Sequence, residues 1–94
     1  MRKYEMMVIF YPNEEEKRAQ VLERFKGIIT EDGGNVSEVT EWGSRKLAYE
    51  IDDLNEGYYI IINYEGTPKI TDELDRIARI SDSVMRHMIV REDE

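Results

Sequence analysis

Six predicted segments, four strands and two helices, restrict the folds that this chain of 94 residues can adopt. Strand-like stretches, rich in branched and aromatic side chains, cover residues 3–11, 35–51, 58–65 and 84–91. One helical segment follows the first strand and another follows the third. The order βαββαβ, with a single apolar stripe on each helix, predicts an α+β, ferredoxin-like two-layer sandwich.

Right-handed crossovers turn this order into one four-stranded antiparallel sheet, with strand order 4-1-3-2 and both helices on one face. The predicted buried stripes are Val21, Leu22, Phe25, Ile28 and Ile29 in the first helix, and Ile70, Leu74, Ile77 and Ala78 in the second. A chain this short supports a single domain over residues 1–94. The second face of the sheet is left open, and we expect function to reside there.

Capping residues predict where the helices begin. Asn13, with Glu16 three residues later, has the spacing of a capping box and predicts the start of the first helix. Thr67 followed by Pro68 predicts the start of the second. Gly33-Gly34 predicts the end of the first helix.

Two further glycines and one polar stretch predict local irregularities. Gly43 predicts a bulge or bend in a long second strand. Gly27 is unfavourable inside a helix, and close packing against the sheet would explain it. Residues 52–57 predict a polar hairpin loop between the second and third strands.

The charge balance is unusual for a nucleic-acid binder, because 13 basic residues face 21 acidic ones and the formal net charge is −8. Contact with phosphate is local, however, so the distribution of charge matters more than the sum. There is no cysteine, so no disulfide or thiolate chemistry is expected. The apolar runs at residues 6–11 and 58–62 are far shorter than a membrane span of ~20 residues. No signal-peptide cleavage site follows the first run, so we expect a cytoplasmic protein without membrane contact.

The sequence argues against catalysis. His87 is the sole histidine and lies within a strand, where a packed or RNA-contacting side chain is the simpler interpretation. The acidic groups at residues 72–75 and 52–56 lack the spacing of a calcium loop, and no glycine-rich phosphate loop opens a helix. We therefore expect no metal, no cofactor, no small-molecule substrate and no enzymatic activity.

The outward-facing strand residues predict a binding surface. Alternation along the strands places a contiguous apolar patch on the open face, comprising Met7, Ile9, Tyr59, Ile61, Met88 and Val90. Such a patch on a highly charged chain predicts contact with a protein partner, although a face capped by loops or a homodimer contact would give the same pattern.

Basic residues border the predicted patch and suggest contact with RNA. They are Arg2, Lys3, Arg45, Lys46, Arg86 and Arg91, with Trp42 near the third and fourth of them. Basic side chains contribute affinity for phosphates, and aromatic rings stack on bases. The alternative is a set of solvated charges at the rim of the sheet.

Three motifs resemble the bacterial small-subunit ribosomal protein family numbered six. They are Arg2-Lys3-Tyr4-Glu5, the stretch Trp42-Gly43-Ser44-Arg45-Lys46-Leu47-Ala48-Tyr49-Glu50-Ile51 with Gly57-Tyr58-Tyr59, and Ile80-Ser81-Asp82-Ser83-Val84-Met85-Arg86-His87. The similarity extends from residue 2 to about residue 91. It implies a ferredoxin-like structural constituent of the small subunit that pairs with the ribosomal protein numbered eighteen. It also implies that this pair binds the central domain of small-subunit ribosomal RNA.

Three other interpretations share the fold. An RNA-recognition motif would need a basic-Gly-aromatic pattern that residues 57–61 echo only faintly. A regulatory ligand-binding or oligomerisation module would pair through the open face and need no basic rim. An acylphosphatase-like enzyme would need an arginine after the first strand, where the acidic residues 14–16 would repel phosphate.

Overall fold

The computed structural model describes residues 1–51 and 54–92, with the backbone alone described for residues 48–51. The elements are β1 (Arg2–Phe10), α1 (Glu15–Glu31), β2 (Asn35–Ile51), β3 (Leu54–Gly66), α2 (Pro68–Ile80) and β4 (Val84–Arg91). The strands pair antiparallel in the order β2-β3-β1-β4, which is the predicted order read from the opposite edge. The predicted ferredoxin-like βαββαβ fold is therefore confirmed.

The core lies between the two helices and one face of the sheet. Inward-facing residues of the two central strands supply half of it, namely Tyr4, Met6, Val8 and Phe10 of β1 with Ile60, Ile62 and Tyr64 of β3. The helices supply Leu22, Phe25, Ile29, Ile70, Leu74, Ile77 and Ala78, while Val21 and Ile28 pack at its margin. Burial raises the pKa of Tyr64 to about 12, and its hydroxyl lies 2.7 Å from Thr71 Oγ1. The apolar stripes of both helices thus face the sheet as predicted.

Two helix boundaries follow the predicted capping chemistry. Thr67 is extended, and its Oγ1 accepts a hydrogen bond from the backbone N–H of Ile70 at the start of α2. At the end of α1, Gly33 has φ +87°, the left-handed conformation that glycine adopts without strain. The N–H groups of Gly33 and Gly34 donate to the carbonyls of Thr30 and Ile29, which satisfies two of the last carbonyls of the helix.

The predicted capping box at Asn13 is wrong. Asn13 has φ +68°, and Glu14 is the N-cap of α1 without any side-chain hydrogen bond to the helix. The tight turn after Pro12 needs a residue that tolerates the left-handed region, and asparagine is among the few that do. A cap residue normally has an extended backbone, so Asn13 cannot fill both roles.

The hairpin between β2 and β3 and the environment of Gly27 also differ from expectation. β3 begins at Leu54, so residues 54–57 of the predicted loop belong to a strand, while Asp52 and Asp53 lie outside the described residues. The pairing of Lys46 with Glu56 shows that the backbone ladder continues through this polar segment. A Cβ on Gly27 would contact only the Glu31 carboxylate, at 3.9 Å, so packing against the sheet does not explain this glycine.

Candidate functional site

The open face of the sheet consists of four rows of side chains that cross the strands in the order β2, β3, β1, β4. The first row is Gly43, Tyr59, Ile9 and Arg86, and the second is Thr40, Ile61, Met7 and Met88. The third row is Glu38, Asn63, Glu5 and Val90. The fourth is Asn35, Glu65, Lys3 and Glu92, the last joined by its N–H to the Lys3 carbonyl. These residues alternate with the core residues, so no helix covers them.

The first three rows contain all six residues of the predicted apolar patch. Met88 and Val90 are 52% and 45% exposed, so the β4 side of the patch is open to solvent. Met7 and Tyr59 are half-buried. A shallow cleft of about 260 Å³ lies over the first two rows and is lined by Met7, Ile9, Tyr59, Arg86, His87 and Met88. An exposed apolar surface of this kind is typical of a protein-binding site.

Ile9 and Ile61 are more deeply buried than an open face would suggest, at 7% exposure each. For Ile9 the reason lies at Gly57, where a Cβ would overlap Ile9 Cγ2 and approach Leu47 Cδ2 and Met85 Sδ at 3.4 Å. Side chains of β1, β2 and β4 thus pack against Gly57 of β3 at this end of the face. Sequence reasoning missed Leu47 and Met85 here, because both stand at irregular pairing positions of β2 and β4.

An aromatic and cationic stack stands at the β2 side of the first row. The Trp42 ring lies on the Tyr59 ring, with centroids 6.1 Å apart and an interplanar angle of 18°. The Arg45 guanidinium is 5.8 Å from the Trp42 ring, and Arg45 Nε donates to the Trp42 carbonyl at 3.4 Å. A bulge between Glu41 and Gly43, with Gly43 at φ +83°, turns Trp42 onto this face. Trp42 is 49% exposed, so about half of its surface remains open to solvent beside Tyr59 and Arg45.

The six predicted RNA-binding residues fall into two groups of three at opposite ends of the sheet. Arg45 and Lys46 stand on β2 and Arg86 on β4, near the paired residues Gly57 and Ile9. Arg2 and Lys3 begin β1, and Arg91 pairs with Tyr4 beside them. Six residues along β1 separate the groups, which is roughly 20 Å at the rise of a strand. Alternation further places Lys3, Arg45 and Arg86 on the open face and Arg2, Lys46 and Arg91 toward the helix side.

His87 faces the helix layer, opposite Val8, and is part of a polar contact with α2. Its Nε2 lies 2.7 Å from Asp75 Oδ1, and Asp75 Oδ2 lies 2.7 Å from the Arg79 guanidinium. The hydrogen bond from His87, together with Arg79, lowers the pKa of Asp75 from its ordinary value of 3.8. His87 is therefore a packed residue with a structural partner.

Metal binding and membrane insertion find little support in the part of the chain that the structure describes. That part contains no cluster of three or more histidine and carboxylate side chains able to hold a metal ion. None of its helices has the length and hydrophobicity needed to span a membrane.

Comparisons with known proteins identify the family. The sequence pattern of the family described as ribosomal protein S6 matches residues 3–91. The small ribosomal subunit protein bS6 of Carboxydothermus hydrogenoformans is 46% identical over 95 aligned positions, which cover 100% of this chain and 99% of that protein. The crystal structure of 30S ribosomal protein S6 from Thermotoga maritima superposes with a TM-score of 0.87 at 38% identity, covering 97% of this chain and 87% of that one.

A more distant likeness concerns the fold alone. The C-terminal domain of the MgtC protein from Mycobacterium tuberculosis superposes over 100% of this chain and 90% of that domain, with a TM-score of 0.66 at 10% identity. The sandwich therefore also occurs in a protein of another kind, and the fold by itself does not assign a function. The match over residues 3–91 does: this chain belongs to the ribosomal protein S6 family, whose members are structural, non-enzymatic proteins of the small ribosomal subunit.

Proposed function

We propose that this protein binds the central domain of small-subunit ribosomal RNA as a heterodimer with the ribosomal protein numbered eighteen. The observation that carries this proposal is the open face, where a concave apolar patch adjoins an exposed aromatic and cationic stack. Family membership supports a place in the small subunit. The proposal adds to it the partner, the RNA region and the residues that contact each.

The apolar patch is the surface proposed for the protein partner. Met7, Ile9, Tyr59, Ile61, Met88 and Val90 are contiguous across three strands, and no element of the described chain covers them. Exposed Met88 and Val90 would leave water when a partner docks, and burial of apolar area stabilises such a complex. Methionine also adapts its shape to a partner because its side chain is flexible and polarizable.

The basic residues are the proposed contacts to RNA. Arg86 ends the first row of the open face, Arg45 pairs with Gly57 just beyond that row, and Lys46 adjoins Arg45. The exposed Trp42 and the adjacent Arg45 guanidinium offer an aromatic and cationic surface to an unpaired base. Arg2, Lys3 and Arg91 form a second basic group at the other end of β1.

The acidic composition favours a pair over a lone RNA binder. At a formal net charge of −8, the chain as a whole is repelled by RNA, and its basic groups act only at short range. A basic partner on the apolar patch would reverse the sign of the combined surface. The proposal therefore predicts that RNA binding depends on the partner.

The test measures binding to a ribosomal RNA central-domain fragment with and without the ribosomal protein numbered eighteen, across salt concentrations. We expect tight, salt-dependent binding that requires the partner. Met88→Gln should weaken assembly with the partner about five-fold, while Ile80→Gln, at a 63% exposed residue of α2, should leave it unchanged. Absence of binding under both conditions, together with a stable homodimer, would contradict the proposal.

A further inference from the structure

The charged side chains of the open face are sorted by sign along the strands. Arg86 and Arg45 lie at the end of the face where Trp42 stacks on Tyr59. The third and fourth rows, at the opposite end, carry one cation, Lys3, among four carboxylates that we call the acidic end: Glu5, Glu38, Glu65 and Glu92. The face is thus positive at one end and net negative at the other, with the apolar second row between them.

The carboxylates of the acidic end form no ion pair within the described chain. The ion pairs found there join residues of the helix layer to one another or to His87, and none includes Glu5, Glu38, Glu65 or Glu92. Glu92 accepts only a neutral hydrogen bond from Asn63 Nδ2, at 3.0 Å. Glu5 and Glu38 stand on either side of Asn63 in the third row, roughly 10 Å apart at two strand spacings. A cationic segment laid across this row would contact both carboxylates.

We propose that the acidic end receives a lysine- and arginine-rich segment of the protein partner, whose apolar side chains cover the second row. This inference rests on the proposed function and adds the orientation of the partner to it. The basic segment lies toward the start of β1 and the end of β4. The Trp42 and Arg45 end then remains free for RNA.

Charge complementarity selects this occupant over the alternatives. RNA is disfavoured over the four carboxylates, because its phosphates would lie against them. It can reach the basic group of Arg2, Lys3 and Arg91 only at the outer edge of this end, where β1 begins and β4 ends. A second copy of this chain, stacked antiparallel, would bring Arg45 and Arg86 onto the acidic end, but it would cover Trp42 and the basic groups needed for RNA. A basic protein segment neutralises the carboxylates and leaves the opposite end open.

The experiment compares two double variants that change the net charge equally. Glu5→Gln with Glu38→Gln removes two carboxylates from the acidic end. Glu31→Gln with Asp72→Asn removes two exposed carboxylates from the helix layer and is the matched control. Affinity for the ribosomal protein numbered eighteen is measured by calorimetry at several salt concentrations, after circular dichroism has confirmed that both variants fold.

We expect the acidic-end variant to bind the partner about five-fold more weakly than wild type, with a flatter salt dependence, and the control to match wild type. Equal affinity and salt dependence in both variants would overturn the inference while leaving the proposed function intact. A wild-type protein that does not bind the partner would instead overturn the proposed function.

Discussion

At the scale of single residues, two glycines show opposite reasons for lacking a side chain. Gly57 stands where Ile9, Leu47 and Met85 converge on the open face, and a Cβ there would overlap Ile9. Gly27 lies in α1 with space around it, since its added Cβ would meet only a flexible carboxylate at 3.9 Å. The sequence shows the same residue type at both positions, so only the packing separates a required glycine from a replaceable one.

This difference leads to a prediction about stability. Gly57→Ala should lower the free energy of unfolding by about 1–3 kcal/mol, because Ile9 and its neighbours must shift to admit the methyl group. Gly27→Ala should raise it by roughly 0.5–1 kcal/mol, because alanine loses less backbone entropy in a helix. Urea denaturation of both variants measures the two effects. An unchanged midpoint for Gly57→Ala would show that this end of the face is loosely packed.

The contact between His87 and Asp75 predicts a dependence of stability on pH. An ionised carboxylate can only accept hydrogen bonds, so His87 Nε2 must donate across the 2.7 Å contact. The bond lowers the pKa of Asp75 in the folded state below the ordinary value of 3.8 that it has in the unfolded chain. The stabilisation is therefore fully present above about pH 5 and is lost as the pH falls through the folded-state pKa.

Asp75→Asn should accordingly reduce stability near pH 7 by up to about 1 kcal/mol, since the carboxylate is partly exposed and screened by solvent. Its difference from wild type should shrink toward zero as the pH is lowered to about 2–3. Asp72→Asn, at an exposed position of the same helix, is the control. Thermal unfolding at a series of pH values measures both variants, and a pH-independent difference would exclude a role for the ionised carboxylate.

At the scale of secondary-structure elements, the start of α2 was predictable and that of α1 was not. Thr67 caps α2 because it is extended and followed by Pro68, and the side chain reaches the Ile70 N–H. Asparagine is equally suited to a helix cap and to a left-handed turn position, and Asn13 occupies the turn position after Pro12. Local sequence alone does not decide between two roles that favour the same residue.

The capping of α2 gives a prediction for that element. Thr67→Ala should destabilise the protein by about 1 kcal/mol, because the N–H of Ile70 loses its acceptor. Thr67→Ser retains the hydroxyl and should stay within a few tenths of a kcal/mol of wild type. Chemical denaturation distinguishes the two variants. Equal losses in both would indicate that the methyl group, rather than the hydrogen bond, matters at this position.

The strands show which features the alternation of side chains can predict and which depend on strand pairing. Alternation correctly assigned Met7, Ile61 and Met88 to one face, because a strand turns successive side chains to opposite sides. The distance between the two basic groups was not visible in the sequence, since it depends on which strand ends meet in the sheet. The bulge that turns Trp42 onto the open face is a further consequence of pairing, although Gly43 marked its position.

At the scale of the whole molecule, the two faces of the sheet differ in role. One face and both helices form the core that stabilises the fold. The other face carries the apolar patch, with positive charge at one end and negative charge at the other. Such an arrangement is compatible with a strongly acidic chain in an RNA-rich particle, because local arginines supply positive charge and the proposed basic partner would add to it.

The most direct test is the salt dependence of RNA binding by the protein pair, compared between wild type and the variants Arg45→Gln with Arg86→Gln and Arg2→Gln with Lys3→Gln. Each double variant should bind the central-domain fragment more weakly. The slope of log affinity against log salt should fall by about 0.7–0.9 for each phosphate that the variant no longer neutralises. Affinity for the protein partner and circular dichroism spectra serve as controls for folding. Wild-type slopes in both variants would contradict the proposal that these basic residues bind ribosomal RNA.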